Sequence, residues 1–209
     1  SGYDGGVLLK DSWFWMYPSE NLDTEDYYDQ ECSWWHTDER GEVYRNRIRK
    51  INGRSYAFDG IGRMQTGFVL FDGKSEFVAR YEVDDWSSED FIEGTIYGIE
   101  KSDLYLFSPD ELNDGSMQIG KDIAVELKDG VFHFGFASNG KAFGNRNRLQ
   151  KKEGMYYING LRLEADEEYG YGVVKVEDGA DTYYQVVDTR GKVIEGKKKI
   201  VKDKEGGYL

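Results

Sequence analysis

Apolar and polar positions alternate in short runs along this chain, and almost every run ends at a glycine or aspartate. The clearest case is Lys50–Gly73, KINGRSYAFDGIGRMQTGFVLFDG. A strand-like piece carrying Tyr56 and Phe58 meets a turn at Asp59, Gly60 and Gly62. A second piece through Met64 and Phe68–Phe71 then ends at Asp72-Gly73. Alternation with period two and turn residues at both ends predicts a β-hairpin. An isolated two-stranded ribbon is marginal in water, so such a hairpin needs neighbours of its own kind.

The same layout recurs. Trp34–Gly41 runs from aromatic residues into an Asp-x-x-Gly turn, and Ser55–Gly62 repeats it with the closing glycines 21 positions apart. Strand-like connectors, Ile48–Gly53 and Phe68–Gly73, lead to the next turn in each case. Leu104–Phe107 opens another copy with a turn four residues longer, through Pro109 and Asn113, and Gly115–Gly120 matches Gly62–Gly67 in residue type. Further copies fall at Val131–Gly140, Gly154–Gly160 and Tyr183–Gly191, followed by a lysine-rich tail after Gly196. Repetition of one supersecondary unit predicts an all-β solenoid of stacked β-hairpin repeats, each burying its face on the next.

Two stretches depart from the period. Residues 1–33 carry the aromatic cluster Trp13, Phe14, Trp15 and Tyr17, then an acidic run from Asp23 to Glu31, and are expected to form an atypical N-terminal unit or cap with a solvated loop. Residues 75–103 are expected to be an insertion between repeats 34–74 and 104–209, with Ser87 or Ser88 capping a short helical turn before Glu89 and Asp90.

Composition agrees with short strands. Aromatic residues make up 15% of the chain and there are 26 glycines but only two prolines, which suits hairpins and is unlike a disordered chain. The formal net charge of -13 repels phosphate backbones and makes nucleic acid a poor partner. No apolar run approaches the ~20 residues of a membrane helix. The chain starts Ser1-Gly2 without methionine, from which a trimmed sequence lacking its leader is expected.

Candidate chemistry is sparse. One cysteine, Cys32, excludes an intrachain disulfide, and His36 and His133 are too few and too far apart for a histidine metal site. Cys32 and His36 lack a third orienting group, so they are read as an incidental thiol and a strand histidine. The acidic run at Asp23–Glu31 lacks the glycine and spacing of a calcium loop. Asp84-Asp85 and Glu89-Asp90 around Trp86 are carboxylate pairs of the kind glycan hydrolysis uses, though charge runs more often face water. No catalytic residue, metal site or cofactor is assigned.

Asn52-Gly53, Tyr56, Phe58, Asp59, Gly62, Met64 and Thr66-Gly67-Phe68 resemble the cell-wall-binding repeat, also called the choline-binding or glucan-binding repeat. The resemblance implies a solenoid of hairpins, secreted or at the cell surface of a Gram-positive bacterium, that targets its protein without chemistry of its own. In the choline-binding branch it implies aromatic cages between hairpins, where a quaternary ammonium gains roughly 0.5–2 kcal/mol per ring. Carried over here, the first cage place holds Trp34, then Ser55, Val131 and Met155, and the second holds Phe68, Lys121, Asn145 and Val173. The expected function is therefore non-catalytic attachment to a cell-wall polysaccharide, teichoic acid or glucan through grooves between hairpins, with Trp34, Trp35, Tyr56 and Phe68 as the contacts. The alternative is a protein-interaction or spacer domain that has lost ligand binding and meets a protein partner at the insertion around Trp86.

Overall fold

The computed structural model describes residues 3–4, 7–108, 114–178 and 181–195. The expected long turn at 109–113 and the lysine-rich tail lie outside these. Strands dominate: β1 (Tyr3–Asp4), β2 (Val7–Leu8), β3 (Trp13–Met16), β4 (Ser33–His36), β5 (Arg47–Ile51), β6 (Arg54–Phe58), β7 (Met64–Gln65), β8 (Gly67–Asp72) and β9 (Phe77–Tyr81). They continue with β10 (Ser102–Phe107), β11 (Gly120–Leu127), β12 (Gly130–Phe136), β13 (Gln150–Lys152), β14 (Met155–Ile158), β15 (Leu161–Arg162), β16 (Tyr171–Asp178) and β17 (Asp181–Asp188). Among the described residues two short helices, α1 (Thr24–Asp29) and α2 (Ser88–Glu93), and a 3₁₀ turn at Ile99–Lys101 interrupt them.

All strand pairs are antiparallel and fall into small sheets, β1-β2, β3-β4, β5-β6-β7, β10-β8-β9, β11-β12-β15-β14-β13 and β16-β17. This is the all-β hairpin-repeat fold that the alternation predicts. Phe77–Tyr81, placed by the sequence in the insertion, pairs with β8, so the non-repetitive segment of the fold spans roughly residues 82–101.

The repetition has a physical signature in the turns. Thr37↔Val43, Phe58↔Met64, Phe71↔Phe77, Phe136↔Ala142 and Val187↔Val193 are cross-strand partners, each six positions apart. Phe107↔Met117 takes the same place with four more residues in its turn. Four of these turns share one hydrogen-bond set. Asp38, Asp59, Asp72 and Asp188 each donate their amide to the carbonyl four residues on, and accept through Oδ1 from the amides two and four residues on. The amides, led by those of Glu42 and Glu76, hold the Asp38 and Asp72 carboxyls below their ordinary range. The fourth residue of each turn is at positive φ, Gly41 at 79°, Gly62 at 114°, Gly191 at 72° and Ser75 at 65°. Asn52-Gly53 and Asn159-Gly160 make the other connection, two residues both at positive φ, which matches the twist of the flanking strands.

Asp59 adds to that set the Gly62 amide and the Arg63 guanidinium. Its Oδ1 accepts from the amides of Ile61, Gly62 and Arg63 at 2.7–3.0 Å, and its Oδ2 accepts from Arg63 Nε at 2.8 Å. Arg63 reaches on to Asp26 and, at 3.3 Å, to Asp23. That link explains why the acidic run is a helix and not the expected solvated loop. Asp23 caps α1 by accepting from Asp26 N at 3.1 Å, acidic residues sit at its positive end, and Arg63 neutralises two of them.

Burial is distributed along the stack. Phe68, Leu70, Phe91, Ile96, Leu104, Leu106, Val125, Phe134 and Phe136 belong to the main core, which joins β8, β10, β11, β12 and α2. Ala57, Val69, Phe71, Tyr105 and Phe107 form a second core, Ile51, Tyr56 and Phe58 a third, and Tyr156, Val174, Val176 and Val187 a fourth. Adjacent residues of β8 serve different cores because successive side chains point to opposite faces of the sheet. The helical turn expected at Ser87 is present. Ser87 N and Oγ donate to Asp90 Oδ2 at 2.9 and 2.7 Å, and the helix so started carries Phe91 into the main core.

Candidate functional site

Strands β3 and β4 pair Trp15 with Trp34 and Phe14 with Trp35. Alternation sends these two pairs to opposite faces. Phe14 and Trp35 stack at 6.3 Å on one face, where Trp35 is buried and its indole N–H donates to the Met16 carbonyl at 2.9 Å. On the other face Trp15 and Trp34 lie 5.3 Å apart at an interplanar angle of 56°, and they remain 56% and 43% exposed. Trp13 meets Trp34 edge-on at 6.4 Å. It also packs back onto Tyr56 at 4.9 Å and Phe58 at 5.9 Å. The open tryptophans are thus anchored to the core of the following hairpin.

Of the four contacts expected from the sequence, Trp34 presents its ring to solvent. The other three are turned inward. Tyr56 is buried and donates its hydroxyl to Asp114 Oδ2 at 3.1 Å, beside the Arg54–Asp114 ion pair. Phe68 is 1% exposed and packs on Phe91 at 5.0 Å and Phe134 at 5.2 Å. Trp34 and Phe68 therefore do not wall one cage. Trp15, in the segment expected to form an atypical cap and not among the expected contacts, completes the open face; its register opposite Trp34 depends on a pairing across the whole of α1.

Among the described residues, grooves open between hairpins in at least two places. One, of about 310 Å³, is lined by Arg47, Ile48, Ser55, Phe71, Tyr105 and Met117 among others, but both its aromatic residues are buried. The other, of about 450 Å³, is lined mainly by polar groups from the start of β10 and from residues 141–151.

The remaining reactive side chains have structural partners. His36 is buried, stacked on Tyr44 at 5.4 Å and edge-on to Trp13 at 4.8 Å, and burial lowers its pKa against the opposing pull of Asp11 at 4.0 Å. Cys32 lies outside that packing, with its Sγ 3.7 Å from the Gln30 carbonyl. Asp85 accepts from Glu82 N, and Asp90 accepts from Ser87 and Thr95, so these carboxylates serve a turn and a helix cap. Trp86 packs against the main core and meets Tyr81 edge-on at 5.2 Å. Among the described residues no group of three or more metal-ligating side chains is placed to hold an ion, and no helix is long and apolar enough to cross a membrane.

No protein-family model matches the sequence, and no curated protein does. Solved structures similar to it include CbpF in complex with ipratropium, at 13% identity and a TM-score of 0.48, covering 95% of this chain and 48% of that one. Choline binding protein F from Streptococcus pneumoniae with a peptidoglycan analogue matches at 15% and 0.43, covering 85% and 44%. CbpJ from the same organism matches at 13% and 0.45, covering 95% and 66%. The chain resembles choline-binding repeat proteins. It spans about half the length of the first of these. With TM-scores below 0.5, the likeness adds nothing to the site, which rests on the geometry of this chain's own tryptophans.

Proposed function

We infer that this chain is a non-catalytic attachment module of a bacterial surface, extracellular in location, that holds a cell-wall glycopolymer or glucan. The observation that carries the reading is the exposed Trp15–Trp34 pair with Trp13 behind it. Two indole faces left open side by side, and backed by a third, form a platform at low entropic cost. Such faces suit the apolar side of a sugar ring, or a cationic head group within about 6 Å of a ring centroid. Trp13 supports the platform from behind through its contacts with Tyr56 and Phe58.

The test is retention of the purified chain on insoluble glucan, on purified cell walls and on a choline resin. Trp15→Ala and Trp34→Ala, which remove half-exposed rings, should each cut retention at least about fivefold, the loss of roughly 1 kcal/mol of ring contact. Retention on every matrix that is indifferent to both substitutions sinks the reading. The spacer or protein-interaction reading is favoured by one observation, the exposure of Tyr97 (79%) and Ile92 on the segment between β9 and β10. Trp86 itself faces the core, so a partner there would meet Tyr97 and Ile92. Under that reading Tyr97→Ala, and not Trp34→Ala, would weaken capture of the partner.

A further inference from the structure

The larger groove lies apart from the tryptophan face and has a different chemistry. Ser102, Asp103 and Leu104 from β10 form one side, Lys141 and Ala142 continue it, and Asn145, Arg148 and Lys151 form the other. Three cations against one carboxylate make it a locally positive surface on a chain whose net charge is -13. Asp103 is occupied by Lys141 at 2.5 Å. Lys151 lies over the Tyr156 ring at 5.3 Å and reaches Gln185 Oε1 at 3.5 Å.

Arg148 is the group that this arrangement leaves available. It is exposed, and among the described residues no ion pair or side-chain hydrogen bond engages its guanidinium. Its backbone, in contrast, is fixed. Asn145 and Arg148 exchange both backbone hydrogen bonds at 3.0 Å, Asn147 N donates to Asn145 Oδ1 at 3.0 Å, and Gln150 Oε1 accepts from Gly144 N at 2.9 Å. Gly144 lies at φ 69° with room for no Cβ, since one would stand 2.4 Å from the Tyr157 carbonyl oxygen. The loop is therefore preorganised with its arginine over a groove of about 450 Å³, large enough for a sugar-sized group.

We propose that the groove lined by Ser102, Lys141, Arg148 and Lys151 binds a phosphate group carried on an anionic glycopolymer. Arg148 offers the planar fork of donors that matches phosphate oxygens, Lys151 and Lys141 add charge, and the Ser102 hydroxyl and the apolar floor of Ile99 and Leu104 accept the attached sugar or polyol. The site goes beyond the attachment reading, because the tryptophan face needs no charge on its ligand.

The experiment titrates the full chain with poly(glycerol phosphate), with inorganic phosphate and with neutral dextran, by calorimetry and by amide NMR shifts at residues 144–151. Both phosphate probes should bind and shift those amides. Arg148→Ala should weaken both about tenfold or more, as loss of a charge-assisted hydrogen-bonded contact requires. Arg146→Ala, which makes the same change in charge per site on the same loop but does not line the groove, should leave binding intact. Trp34→Ala should leave phosphate binding intact as well, so that failure of the tryptophan reading and failure of this one are told apart. The proposal is overturned if poly(glycerol phosphate) does not bind, if Arg146→Ala weakens binding as much as Arg148→Ala, or if dextran occupies the groove with equal dependence on Arg148.

Discussion

Phe68 separates the two ways of reading this chain most sharply. In the family pattern it occupies a cage position; in the fold it is 1% exposed, wedged between Phe91 of α2 and Phe134 of β12. Burying a phenylalanine withdraws about 150–250 Å² from water. At about 25 cal/mol/Å² that area corresponds to about 4–6 kcal/mol, an upper bound because the unfolded chain already hides part of it. Truncations of buried phenylalanine cost about 3–5 kcal/mol, and the two ring contacts favour the middle of that range, so Phe68→Ala should destabilise by about 4 kcal/mol. Against a total of about 5–15 kcal/mol this is a severe loss. The assay is urea unfolding followed by tryptophan fluorescence and far-UV circular dichroism, with Trp34→Ala as the comparison. Trp34→Ala should move the midpoint little, by about 1 kcal/mol or less, since its ring is half exposed. Because stacked repeats unfold partly as independent units, the loss in Phe68→Ala is expected as an early transition of the β8–β12 region where the two probes cease to coincide. A shift under about 1 kcal/mol in Phe68→Ala, accompanied by lost glycan retention, would refute the core assignment and return Phe68 to a ligand wall.

Further consequences follow from two buried polar groups. Asp59→Ala strips the acceptor from three backbone amides and one side of Arg63, which keeps Asp26 and Asp23; the expected cost is about 2–3 kcal/mol in urea midpoint, whereas a neutral result would mean that the turn does not depend on its carboxylate. His36 has its folded pKa lowered by burial, so its neutral form is the one the fold favours. Its contribution is complete above the unfolded value of about 6.5 and declines as pH falls from there toward the lower folded pKa. Unfolding midpoints measured across that interval should fall on acidification in the wild type and less so in His36→Phe; parallel profiles would remove His36 as the cause.

Much of the architecture is legible because turn chemistry is local. Asp38, Asp72 and Asp188 announce their turns through hydrogen bonds that reach no further than four residues, Asn52-Gly53 and Asn159-Gly160 through a backbone conformation that few residues adopt, and Ser87 through a cap made with its own third neighbour. The short helix at Thr24–Asp29 escaped the same reasoning. Its acidic residues read as a loop until Arg63, 37 positions after Asp26, is brought beside them.

The sequence by itself determined that this protein is built of antiparallel hairpins, where most of them turn, and that aromatic residues fill them. Only the tertiary structure decided which aromatic rings face water. A strand alternates whatever surrounds it, but which face is buried depends on the next hairpin, and a shift of one residue in pairing exchanges the two faces. That is why Trp35, Tyr56 and Phe68 became core while Trp15, opposite Trp34, became surface. It is also why Arg148, an unremarked residue of a polar loop, ends over a groove whose far side is built by Ser102, Asp103 and Lys141.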